Sequence, residues 1–141
     1  MAELRLRLTV PMIRLGPLTV DPIQAVLGRS VAEVFGALLL ASRPTASGQE
    51  LDVRLPDTVG ASVPLGIAGE AGFRNERGAL VLAVPRVLVG QVERALESYV
   101  VGRQSGPGAT EELRVLLPVG RPVDVPLASL ATIRVCRLAD R

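Results

Sequence analysis

The chain begins by alternating. In ELRLRLTV, Leu4, Leu6, Leu8 and Val10 fall on one side of an extended backbone and Arg5, Arg7 and Thr9 on the other. That is the period of a strand with one buried face. Pro11 breaks the run, and MIRLGPLTV reads as a second strand bent at Gly16-Pro17. The pattern returns in ELDVRL (Leu51, Val53, Leu55) and in SVPLGIAGEAGFR, whose small residues suit a bent strand. RNERG then reads as a hairpin loop with Asn75 or Gly78 at positive φ. ALVLAVPRVLV is the return strand, with Pro85 confining it to an edge or a bulge. EELRVLLP, RPVDVPL and ATIRVCRL complete the strand candidates.

Two segments change period. DPIQAVLGRSVAEVFGALLLA carries apolar residues on most sides of a helical wheel, with Arg29 and Glu33 as a narrow polar stripe. Asp21 as N-cap, Pro22 at the first position and Gln24 completing a capping box predict one long helix over about 21–41, ended by Pro44. Such a helix of ~30 Å would reach across a bilayer, but two mid-helix charges argue for a buried spine and no transmembrane segment. GQVERALESYVVG, with Val92, Ala95, Leu96, Tyr99 and Val100 at helical spacing, predicts a second helix over about 91–101 ended by Gly102. Residues 102–110 read as a flexible loop. LTVDPIQAVLGRS and VLVGQVERALESY both run an apolar strand end into a helix, a weak echo of a strand-strand-helix unit whose identity is too thin to establish a duplication. The expectation is an α+β fold in a single domain over 1–141. A curved antiparallel sheet of six to eight strands wraps the long buried helix, with the shorter helix beside it.

Composition narrows the chemistry. The chain is 48% hydrophobic with two Phe, one Tyr and no Trp, so its core is aliphatic. All sixteen basic residues are Arg, and His and Lys are absent, a bias that fits a GC-rich bacterial genome. Net charge is +2, with the Arg residues spread from Arg5 to Arg141. With few aromatics to stack bases, this composition argues against a nucleic-acid partner. Without His or Lys the commonest general base and the Schiff-base amine are missing. Cys136, flanked by Arg134 and Arg137, reads as an inert strand residue. Glu50 and Asp52 share a strand face as surface charges, and no zinc or calcium set can be assembled. GIAGEAG lacks the strand-loop-helix setting of a phosphate loop. The reading is therefore no enzyme, no metal and no cofactor. With one Cys and no apolar leader at the N-terminus, a cytoplasmic location is expected.

The succession of small-residue strands, GALVLAVPRVLVG and an amphipathic helix, after an earlier strand and long apolar helix, resembles bacterial tubular lipid-binding (TULIP) domains over residues 12–101. The resemblance implies a curved sheet around a long helix with a groove for acyl chains. The matching functional expectation is a non-enzymatic module for a lipid or other apolar ligand. Leu27, Val31, Val34, Phe35 and Leu38 on the long helix are its candidate lining. The alternative is a filled core in a self-assembling or protein-interaction domain, with the amphipathic ELRLRLTV as its free edge strand.

Overall fold

Leu4, Leu6, Leu8 and Val10 are each at most 3% exposed, while Thr9 among them is exposed. They lie on β1 (Leu4–Pro11) in a computed structural model of the chain, which describes residues 4–15, 17–55, 66–76, 79–106, 108, 110–116 and 132–138. Along the chain follow β2 (Ile13–Leu15), β3 (Leu18–Val20), α1 (Pro22–Leu27) and α2 (Val31–Phe35). A 3-10 turn (Gly36–Leu38) leads to β4 (Leu39–Pro44), β5 (Gly48–Leu55), β6 (Gly66–Glu76) and β7 (Ala79–Pro85). Then come α3 (Arg86–Ala95), β8 (Val100–Ser105), β9 (Thr110–Val115) and β10 (Ile133–Arg137). Among the described residues eight strands form one antiparallel sheet in the order β4-β5-β1-β10-β6-β7-β9-β8, and β2 and β3 pair apart from it. The helices cover one face of the sheet, and the core fills the space between.

The α+β, antiparallel expectation holds, but the single long helix does not form. Gly28 takes φ 81°, a left-handed conformation that ends α1. Ser30 then opens α2 with a reciprocal capping box: its hydroxyl accepts from the Glu33 N–H, and the Glu33 carboxylate accepts from the Ser30 N–H. Gly36, at φ 51°, stops α2 after five residues, and Leu39 enters an edge strand. Glu33 is thus a cap and not part of a mid-helix stripe. Asp21 does cap α1, accepting from Gln24 N at 2.8 Å, and its second oxygen accepts from Val31 N at 2.9 Å. One buried carboxylate so ties the starts of two consecutive helices. Among the described residues no helix is long and apolar enough to cross a membrane.

Other boundaries move as well. Pro85 is not a mid-strand interruption; it ends β7 and stands as N-cap of α3, which begins five residues before the expected 91. Gly102 and the first part of the expected loop 102–110 belong to β8, which runs to Ser105, and Thr110 already opens β9. β1 is not an edge; it is paired on both sides, by β5 and β10, and among the described strands β4 and β8 stand at the ends of the sheet. The RPVDVPL strand and residues 77–78 of the RNERG loop lie outside the described residues, though Glu76 and Ala79 pair as a tight hairpin requires.

The strand registers disclose an internal two-fold relation. Leu8 pairs Leu51 in β1·β5, and Leu82 pairs Leu113 in β7·β9; each run of pairs ends on a proline, Pro11 or Pro85. Both outer strands carry a bulge at the same place, Leu39/Ala41 in β4 and Val100/Gly102 in β8. On the inner side, Leu8 pairs Val135 and Leu82 pairs Phe73. The two inner strands meet at Ile133 opposite Ala71, the pair on the axis. Each half is therefore a strand-strand-helix-strand-strand unit: β6-β7-α3-β8-β9 in one, β10-β1-α1α2-β4-β5 in the other. Leu6/Leu80, Leu8/Leu82, Val10/Val84, Pro11/Pro85, Glu50/Glu112, Leu51/Leu113 and Val53/Val115 occupy matching places. The halves differ in what joins β1 to β4 and β7 to β8: residues 12–38, with the β2–β3 hairpin, against residues 86–99 alone.

Candidate functional site: the seam between the halves

The β1 and β7 alternation brings Leu8 and Leu82 toward the helices on either side of the axis. Between them is a cavity of about 30 Å³ with a wholly apolar lining. Its walls come in matched pairs: Leu8/Leu82 and Ala71/Ile133 from the sheet, and Val31/Val92 and Phe35/Leu96 from the helical layer, counting back from β4 and β8. Ile23, Val34, Val84 and Leu88 complete the lining. The void exists on the axis, where the small Ala71 stands opposite the larger Ile133. Two hydrogen bonds cross the seam above it. Gln91 Nε2 donates to Val34 O at 3.0 Å, and Arg29 Nη1 donates to Ala95 O, at the last turn of α3, at 3.2 Å.

Of the five residues expected to line a ligand site, Val31, Val34 and Phe35 are brought together at this cavity. Leu27 is fully buried but outside the lining, and Leu38 sits half-buried on the 3-10 turn. The strand contributors were missed because their alternation says only that they are buried. The signal that could have found them is the shared L-x-L-x-V-P of residues 6–11 and 80–85.

Polar groups gather on the opposite face of the sheet and at its β8 end. Arg7 grips Asp52 through Nε and Nη2 at 2.9 and 3.2 Å, and Arg43 reaches both Asp52 and Glu50. The two guanidiniums hold the Asp52 carboxyl below its ordinary range, the Arg7 hydrogen bond being the larger cause. In the other half Glu112 accepts from Arg74 and, at 2.8 Å, from Gln104 Nε2. Those hydrogen bonds, Arg74 first, push its carboxyl down to about 2. Glu111 lies 3.5 Å from Arg103 and 3.8 Å from Arg86. Asp21 behaves oppositely: burial raises its carboxyl, against the lowering effect of its backbone donors. Cys136 is a half-buried free thiol on β10, across from Arg7. Among the described residues no three His, Cys, Asp or Glu side chains group as metal ligands. No family model, no curated protein and no solved structure matches this chain.

The Glu112 cluster sets an acid limit. Because its folded carboxyl lies at about 2, against 4.5 for a free glutamate, its stabilisation is fully present above pH 4.5 and disappears as pH falls toward 2. The melting midpoint is expected to fall through that window in wild type, and less steeply in Glu112→Gln. Parallel acid profiles for the two proteins would refute the assignment.

Proposed function

We propose that the protein is a non-enzymatic protein-interaction domain with a filled core. The observation that carries this reading is the size of the seam cavity, about 30 Å³. That is well below the ~150 Å³ of an apolar cavity that takes up benzene, and ligand sites for small molecules run to ~300–1,000 Å³. The helices leave the other face of the sheet uncovered over β4, β5, β1 and β10, where Thr9, Arg54 and Arg134 are exposed. Large apolar side chains also stand in solvent: Leu18 and Val101 are each 63% exposed, Leu116 58% and Leu40 46%.

A second reading is favoured by the lining itself. Every wall of the seam is apolar, and Val31, Val34 and Phe35 are the residues that the acyl-ligand expectation selects. On that reading α1 and α2, only six and five residues long, would part from α3 to admit a chain.

Ala71→Val separates the two. In a filled core the added methyl groups occupy the void, and stability should shift by no more than ~1 kcal/mol in either direction. A fluorescent long-chain fatty acid should bind neither protein. Saturable binding to wild type that Ala71→Val abolishes would establish the ligand site and remove the interaction reading.

A further inference from the structure

The two-fold relation gives each residue of the open sheet face a counterpart, and the comparison is lopsided. On β1, β4, β5 and β10 this face carries Arg5, Arg7, Arg43, Arg54 and Arg134. Their counterparts in the other half are Ala79, Val81, Gln104, Leu116 and Gly72, all uncharged, while that half carries Arg74 and Arg114 where the first has Cys136 and Asp52. Glu50, Asp52 and, across from Arg134 on β6, Glu70 offset only part of this charge. Arg5 stands directly opposite Arg54 in the β1·β5 register. Like charges at such a cross-strand position repel, and they concentrate positive charge on this part of the face. Arg134 and Arg54 are exposed, and Arg7 and Arg43 keep 38% and 41% of their side-chain surface in solvent.

We infer that this arginine face docks an acidic segment of a partner protein. The inference rests on the interaction reading above and names the surface and the partner's charge. Neighbouring strands are spaced about 4.8 Å apart, so the five guanidiniums form a fixed array on four strands. Each presents a planar fork of donors suited to a carboxylate. Glu50 and Asp52 sit within the array and already orient Arg7 and Arg43. Anions interleaved with the cations suit a protein segment whose own charges are mixed and spaced. They oppose a phosphate backbone with a charge at every step. The β4–β10 half of this face also presents no aromatic side chain on which bases could stack.

The full-length chain is titrated against three probes: a fluorescein-labelled oligoglutamate, a duplex DNA oligonucleotide, and phosphatidylcholine vesicles containing phosphatidylserine. Arg5→Gln/Arg134→Gln is compared with Arg14→Gln/Arg94→Gln, which removes the same charge from exposed positions elsewhere. The expected result is oligoglutamate binding at low salt, weakened roughly 3- to 10-fold by the first pair and under about 2-fold by the second. The melting midpoint of the first pair should be unchanged or higher. If that pair does not fold, Arg134→Gln alone is used, at an exposed position. Equal weakening by both pairs would reduce the effect to overall charge and overturn the inference. So would an absence of oligoglutamate binding, or tighter binding to DNA or vesicles. None of these outcomes depends on the fatty-acid and Ala71→Val test, so the docking face can fail while the filled-core reading stands.

Discussion

Val135→Asp is expected to yield no folded protein. Val135 has 0% exposure and sits at the middle of β10, which is paired with β1 on one side and β6 on the other. A carboxylate there would be buried in the aliphatic core beside Leu8, and burying a charge without a well-placed partner costs several kcal/mol. The whole stability of a domain is ~5–15 kcal/mol. The damage is central, because among the described strands β10 joins the β4-β5-β1 group to β6. Thr9→Asp, on the exposed face of β1 next to Arg134, should fold normally. Circular dichroism and amide hydrogen exchange on both variants check the pair. A native-like Val135→Asp would mean that the two halves hold together without β10.

The second large effect is matched on the two sides of the axis. Leu8→Ala and Leu82→Ala each remove a fully buried side chain from the wall of an existing void. Such truncations cost ~3–5 kcal/mol, toward the upper end where the site cannot collapse. A strand backbone hydrogen-bonded on both flanks, as β1 and β7 are, collapses poorly. Both variants should therefore melt well below wild type by similar amounts. The enlarged dry cavity should also take up xenon or benzene, which the native void of about 30 Å³ is too small to hold. Widely different losses at the two positions would show that the halves share a register but not an environment.

Much of the sheet was legible because alternation is a local property. Leu4 to Val10 and Leu51 to Leu55 announce their buried face without reference to any partner. Partner choice is not local, and so β1 could be read as an edge although it lies inside the sheet. The long helix misled for a different reason. Residues 21–41 are apolar on most sides, a pattern equally produced by two short helices and a strand that pack on several neighbours. Gly28, the Ser30-x-x-Glu33 box and Gly36 were the written stop and start signals, and they outweigh periodicity because each fixes backbone geometry. Pro85 was misplaced similarly: a proline that ends a strand and one that opens a helix look alike until the following residues are seen to pack. Of the cavity, the helical half was readable from Val31, Val34 and Phe35. The sheet half was not, since nothing in a strand's alternation tells which buried residue will face a void. The internal repeat was sensed at the strand-to-helix passages but in another register, because residues 12–38 are longer than their counterpart and displace any simple alignment.

The half that contains β1 is finished by β10, the latest strand in sequence among the described residues, and this orders events in time. During synthesis β6, β7, α3, β8 and β9 emerge as one uninterrupted unit and can assemble as soon as Val115 has cleared the ribosome. β1 through β5 emerge earlier yet must wait, since Leu6 pairs with Arg137, a residue far along the sequence. Contacts that far apart in sequence are slow to close. Until they do, Leu6, Leu8 and Val10 have no β10 beside them, so the newborn N-terminal half passes through an interval with an open strand edge. That interval, and not the finished fold, is where a chaperone would have its task.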